Sequence, residues 1–330
     1  MDEDRNKFWD AVKGLSIIAV LLIHTTTVNS VEGVVWRQFI NWPVALFFFM
    51  SGYFCTATTS YGAFVLKKAK RLLVPLFVCS LVYALIGVMN VAHQGSDVSI
   101  PFLWRAFISF PLGWGYFILA LFQCFLIAPL LVRISLKRAF IFSILLYLPT
   151  SLYSYLAATC CVREFPFRCM FPEVLCIAWL PFFVLGQYLR SHRLSWVDWP
   201  ILWVLALVVC CVAEILTGLY WGRTATFQLA RSQIRLANVA FALILACGLP
   251  NLSDRMRLTN GNIERILVRL GEVSLVVYLW HRLVIILSRR FLPTCLIQIP
   301  WMPLIVVLVF ICVAYVVPRR VRKGLWWLGF

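Results

Sequence analysis

Lys13 and His24 stand eleven residues apart in the first apolar run of the chain, "KGLSIIAVLLIH". A charged side chain at mid-bilayer costs roughly 2.5 to 3.5 kcal/mol on insertion scales, so an ionisable group inside such a run is a candidate for function. At 100° per residue the two side chains fall within about 20° of one helical face, roughly 16 Å apart along the axis. Lys13 can stay at the headgroups, where Asp10, three residues earlier, can pair with it. His24 lies deeper, where a low dielectric disfavours the imidazolium and leaves a neutral ring able to take a proton. Each residue also has a purely structural reading. Lys13 can snorkel to the interface, and His24 can be a neutral histidine satisfied by a neighbouring helix. One histidine specifies no reaction.

A second constellation lies in "GEVSLVVYLWH" (Gly271–His281), where Ser274, Tyr278 and His281 form a polar stripe in an apolar span. Ser274 and His281 are seven residues apart and share a helical face, whereas Glu272, nine residues from His281, falls on the opposite one. Of the chain's 4 histidines, His93 and His192 fall in polar connections and are expected to be solvated. "FFFMSGYF" (Phe47–Phe54) sets Ser51 and Gly52 in an aromatic run, where the glycine can let helices approach closely. "FVLKKAKRLLVP" (Phe64–Pro75) carries Lys68 and Arg71 in a basic cluster, which by itself reads as a topology signal and a contact for anionic lipid. Glu214 is a further deep acid with no partner assignable from sequence.

These residues need apolar helices to position them. The 330 residues are 62% hydrophobic with a mean hydropathy of +0.90, against roughly 45–50% apolar in soluble domains. The reading is an all-α, polytopic membrane bundle, with residues 1–330 as a single domain. A spanning helix needs about 20 residues, and ten candidates follow: 13–29, 39–57, 72–92, 113–132, 139–158, 174–189, 197–219, 236–249, 270–288 and 297–317. Pro43 weakens the second, a short core weakens the eighth, and 100–111 is too short to span. The acidic start and the lack of a cleavage site favour a retained first helix over a signal peptide.

The net charge of +17 would suggest nucleic acid in a soluble chain. Here the bases sit in short clusters between apolar runs, so no nucleic-acid partner is expected. Placing both termini in the cytoplasm puts most of the bases, including "KKAKR" and "RRVRK", on the inner side, as the positive-inside rule requires. The 12 cysteines show no C-x-x-C spacing, so no metal site is expected. Cys160, Cys161 and Cys169 share one connection and are read as reduced thiols, a disulfide being the alternative.

In this order, "RNKFWDAVKGLSIIAVLLIH", "FFFMSGYF", the basic segment before Pro75, "WGYFILALFQCFLIAPLL" (Trp114–Leu131), "PFFVLG" (Pro181–Gly186) and "GEVSLVVYLWH" make nearly the whole chain resemble membrane acyltransferase family 3. The resemblance implies a ten-helix domain that moves an acyl group, usually acetyl from acetyl-CoA, to a hydroxyl or amine, typically on sugars of surface or exported glycans. It implies that Lys13 and His24 belong to the transfer site and that Lys68 and Arg71 lie near the mouth for the donor. Many relatives carry arginine where this chain has Lys13, and lysine lacks the bidentate fork. No appended soluble domain of the kind some relatives carry is expected.

The expected function is therefore acyl transfer from acyl-CoA to a hydroxyl of a cell-surface, lipid-linked or exported glycan, in the inner or plasma membrane of a bacterium. His24 is the preferred base and His281 a second base or a substrate ligand. Lys13, Lys68 and Arg71 face the donor, and Asp10, Ser51, Ser274 and Tyr278 support the site. Acyl-CoA is a cosubstrate and no cofactor stays bound; membrane lipids are the remaining partners. The alternative is a transporter or flippase that moves an amphipathic sugar or lipid without changing it. Reporter fusions are expected to place both termini and Lys67–Arg71 on the cytoplasmic side. An extracellular carboxyl terminus would contradict an even number of spans.

Overall fold

The computed structural model describes residues 3–330 apart from 26–29, 57–59, 96, 98, 132, 160–170, 224–226, 257–260 and 292–300. Every regular element among them is a helix. That is the solution open to an apolar chain in lipid, because a helix satisfies its own backbone hydrogen bonds. Cys160, Cys161 and Cys169 lie outside the described residues.

The first helix, α1 (Glu3–Thr25), is followed by two short ones, α2 (Val31–Phe39) and α3 (Pro43–Tyr53). The expected span at 39–57 is therefore broken. The N–H of Ile40 folds back to the Arg37 carbonyl and ends α2. Pro43, which lacks an N–H to lose, opens α3 in its first turn. Next comes α4 (Tyr61–His93), 33 residues long. At 1.5 Å per residue it is about 50 Å, well beyond a hydrocarbon core of about 30 Å. The turns that carry Lys67–Arg71 can thus project past the apolar layer.

The segment expected to be too short to span is a helix of its own, α5 (Ile100–Gly113), bent by 67° from α6 (Tyr116–Leu131). Two N–H groups, of Trp114 and Gly115, converge on the Phe110 carbonyl at that break. There follow α7 (Leu136–Thr159), the single turn α8 (Phe171–Val174), α9 (Leu180–Ser191), α10 (Pro200–Arg223), the short α11 (Phe227–Arg231) and α12 (Leu236–Arg255). The expected span at 270–288 is split between α13 (Asn262–Glu272) and α14 (Ser274–Phe291), which meet at 85°. The remaining helices are α15 (Trp301–Val316) and α16 (Arg319–Gly324).

Among the described residues, five helices are long and apolar enough to cross a membrane, or up to seven when each bent pair is one span. The other three expected spans fall on α3, α9 and α15, which have 11, 12 and 16 residues. A helix of that length reaches about 16 to 24 Å, so α3 and α9 cannot span alone, while residues 297–300 of the third expected span lie outside the described residues. The short α3 and α9 are packed into the bundle against each other. Their backbones touch because Gly52 faces the Phe183 carbonyl and Gly186 faces the Phe49 carbonyl, with no Cβ between. Phe48, stacked on Trp179 at 5.0 Å, fills the space beside that contact.

The centre of the bundle is α1, which touches α3, α12, α13, α14 and α15. By contrast α10 is peripheral and leaves Ile201, Val209 and Leu216 exposed, the surface expected of a helix facing hydrocarbon. Its inward face carries Glu214, whose carboxylate lies 2.6 Å from the Arg235 guanidinium with both side chains buried. Arg235 also donates to Gln38 Oε1 at 2.5 Å and to the Glu214 carbonyl at 3.1 Å. The acid that had no partner in the sequence thus ties α10 to α2 and α12. Removing one member of a buried pair costs about 3–5 kcal/mol.

A methyl group at residue 52 would overlap the Phe183 carbonyl oxygen and push α3 off α9. Gly52→Ala is expected to destabilise the protein by about 1–3 kcal/mol, the usual cost of overpacking. Thermal unfolding of the detergent-purified protein measures it, and an unchanged midpoint would refute the close contact.

Candidate functional site

One end of the bundle holds a cavity of about 810 Å³ whose walls come from α1, α3, α4, α6, α13, α14 and the stretch after α16. Asp10, Lys13, Ser51, Lys68, Arg71, Ser274 and Tyr278 all line it, together with Lys67 and Lys70. Seven residues singled out by type and spacing are therefore brought to one place by four helices. Lys13 and Asp10 form the expected pair at 2.8 Å. Lys68 sits with its ammonium 4.1 Å from the Phe125 ring centroid, a cation–π arrangement that holds the charge inward. Lys67, Lys70 and Arg71 are exposed. At spacings of three and four residues they share one face of α4.

The apolar part of the cavity lining includes Phe47, Phe117 and Leu121, with Tyr278 beside them. The Tyr278 ring lies 5.1 Å from that of Phe117, and its hydroxyl donates to the Trp114 carbonyl at 2.6 Å. One turn further along α14 is His281, and across from it on α1 is His24, their ring centroids 4.8 Å apart. The two histidines, 257 positions apart in sequence, therefore form one pair. Neither lines the cavity, whereas Tyr278 does, with its ring centroid 6.1 Å from that of His281.

The bonding of His281 identifies its lone pair. Its Nδ1 lies 2.7 Å from the Tyr278 carbonyl oxygen and 3.2 Å from that of Val277. Carbonyl oxygens only accept, so Nδ1 carries the proton and Nε2 the lone pair. Among the described residues that Nε2 is buried with no hydrogen-bond partner. A buried imidazole with an unengaged lone pair beside a second imidazole is suited to taking up and relaying a proton.

Sequence reasoning missed four residues on this side of the site. The Trp114 ring lies 4.5 Å from His24, and the Arg282 guanidinium lies 4.3 Å from the Trp114 ring. Arg282 immediately follows His281 in "WHR", and an arginine within an apolar span was the available signal. On the α2 side, Arg37 donates to the Ile23 carbonyl at 2.8 Å and to Asn41 Oδ1 at 3.1 Å. The Tyr116 hydroxyl bonds Gln233 at 3.3 Å. Polar groups thus reach the histidine pair from the end opposite the cavity. Among the described residues no group of three or more His, Cys, Asp or Glu side chains is placed to hold a metal ion.

A family model described as an acyltransferase domain matches residues 6–318. No curated protein and no solved structure matches. The matched stretch holds both histidines, Lys13, the basic face of α4 and the Ser274–Tyr278 stripe.

The bond from Tyr278 to Trp114 fastens α14 to the break between α5 and α6. An interhelical hydrogen bond in a membrane protein contributes about 0.6 kcal/mol and up to about 1.7. Tyr278→Phe is expected to lower thermal stability by that amount. Tyr278→Ala, which also removes the ring from Phe117, is expected to cost several times more. Equal melting of the two variants would show that the packing of the ring on Phe117 contributes nothing to stability.

Proposed function

Because the chain belongs to the acyltransferase family that this domain defines, we propose that it moves an acyl group, acetyl in the simplest case, from acyl-CoA to a hydroxyl of a glycan or lipid-linked sugar at a bacterial cytoplasmic membrane. The observation that carries the reading is the cavity. It brings Lys13, Lys68 and Arg71 together with the apolar side chains of Phe47, Phe117 and Leu121, and Tyr278 on its wall is one helical turn from His281. Phosphates of the donor are held by the bases, which bind them as point charges and, at Arg71, as a fork. The acyl thioester lies along the apolar lining, and Tyr278 and Phe117 shift to admit it. The acceptor arrives from the side of Arg37 and Tyr116.

In the transfer step the acceptor hydroxyl oxygen attacks the thioester carbonyl carbon while His24 takes the hydroxyl proton. The tetrahedral intermediate carries its negative charge on the former carbonyl oxygen. Arg282, held against Trp114, is a cationic side chain that can stabilise it. Collapse breaks the carbon–sulfur bond, and the proton passes from His24 to the departing thiolate, giving the ester and free CoA. His281, oriented by two carbonyls, positions and buffers the imidazole of His24. Exclusion of bulk water by the surrounding rings keeps the thioester from hydrolysis.

His24→Ala is expected to lower the acyl-transfer rate by about 10² to 10⁴-fold, the contribution typical of a general base, while insertion and melting stay as in the parent. His281→Ala is expected to be less severe, and Lys13→Arg milder than Lys13→Ala. The assay follows labelled acetyl from acetyl-CoA into the surface glycan of cells with and without the protein. A normally inserted His24→Ala protein that acetylates at the parental rate would overturn the base assignment. Movement of an unmodified sugar with no label transferred would favour the transporter.

A further inference from the structure

The donor cavity has one wall that the family match does not include. The match stops at residue 318, and Arg319–Phe330 lies beyond it, yet Trp326, Gly329 and Phe330 line the cavity alongside Lys67 and Arg71. This segment is anchored at several independent points. Arg322 bonds Glu272 at 3.0 Å, the Val317 carbonyl at 3.0 Å and the Ala314 carbonyl. The Trp280 indole N–H donates to the Leu328 carbonyl at 3.0 Å. Gly329 turns the chain with φ of +101°, a left-handed conformation that disfavours any residue with a Cβ. A side chain there would also meet Leu279 at 3.1 Å. The segment is built against α14 and the mouth of the cavity.

What it presents there is an aromatic ring. Trp326 is 45% exposed, although an indole is among the most favourable groups to bury. It shares the mouth with exposed cations on α4, and a flat ring beside phosphate-binding bases is the arrangement that takes a nucleotide, the ring stacking on the base while the cations meet the phosphates. Two other rings of the cavity lining are already covered by cations, Phe125 by Lys68 at 4.1 Å and Phe54 by Lys13 at 5.8 Å. Resting on the donor reading above, we propose that Trp326 stacks on the adenine of acyl-CoA, so that Arg319–Phe330 makes the protein select CoA-linked acyl groups over the same acyl group on a shorter phosphopantetheine carrier.

The test measures binding of CoA and of 4′-phosphopantetheine to the purified full chain by isothermal titration calorimetry, with no need for the acceptor. The two probes share the thiol arm and one phosphate and differ in the adenosine portion. The parent protein is expected to bind CoA at least tenfold more tightly. Trp326→Ala and Trp326→Leu are each expected to reduce that preference about tenfold, the size of one base–aromatic stack, with little change for 4′-phosphopantetheine. Trp326→Phe, which keeps a ring, is expected to retain most of it. Equal binding of the two probes by the parent overturns the proposal without any variant. So does a preference that survives in a Trp326→Ala or Trp326→Leu protein of normal melting, or a loss that falls equally on both probes. A parent that binds neither probe overturns the donor reading itself, and the two failures are thereby told apart.

Discussion

The close approach of α1 and α13 is the contact on which the site depends. Gly14 lies against the Leu267 carbonyl and Gly271 against the Asp10 carbonyl, with no room for a Cβ at either crossing. Two backbones that meet directly gain dispersion and weak polar contacts that bulky residues would prevent. That contact also fixes where α13 ends. The chain then turns by 85° at Val273, and α14 leaves from a point already pressed against Asp10. Ser274 and Tyr278 fall on the cavity for that reason, and His281 reaches His24. A helix that ran straight from Asn262 to Phe291 could not lie along α1 and also carry His281 to it.

The polar chemistry of the interior is arranged in layers along this frame. At one end are the exposed bases of α4 and the Asp10–Lys13 pair. In the middle are two imidazoles, with an arginine against the neighbouring indole. Beyond them, Arg37, Gln38, Asn41 and Arg235 bond carbonyls and side chains of α1, α10 and α11. Buried charge is costly unless it is paired or hydrogen-bonded, and the cations of this last layer meet that condition with several acceptors each. The Glu214–Arg235 pair belongs to it and serves to hold the lipid-facing α10. The same network therefore keeps the outer helix in place and sets polar groups beside the histidines.

Much of the site was legible in the residues themselves, because a period of 3.6 turns sequence spacing into faces. Lys13 with Asp10, the basic face of α4, and the Ser274–Tyr278–His281 stripe could all be written down before any fold. The meeting of His24 with His281 could not, since it depends on a bend at Val273 that no proline marks. The break at residues 39–43 had its signal in Pro43. The break near Trp114 was harder to see, because Gly113 and Gly115 flank a residue that reads as apolar. Trp326 carried no signal, as an aromatic just after "RRVRK" looks like an interfacial anchor. Its position in the cavity wall follows from the left-handed turn at Gly329 and the bond from Trp280.

The pair of rings formed by Tyr278 and Phe117 has a consequence for the membrane as well as for the site. The bundle sets a cation-lined cavity at one end, buried imidazoles deeper in and hydrogen-bonded polar groups of α2 beyond them, and apolar packing keeps these layers apart. Part of that packing is the Tyr278 ring against Phe117, held by a single hydrogen bond to the Trp114 carbonyl. Any membrane that stores energy as an ion gradient must be insulated at this point, and protons are the ions for which adjacent imidazoles are the best conductors. Close packing at Tyr278 and Phe117 therefore bears on the electrical resistance of the bilayer as well as on the site. A substitution that loosened that packing would tax the cell through leakage, whatever it did to the chemistry.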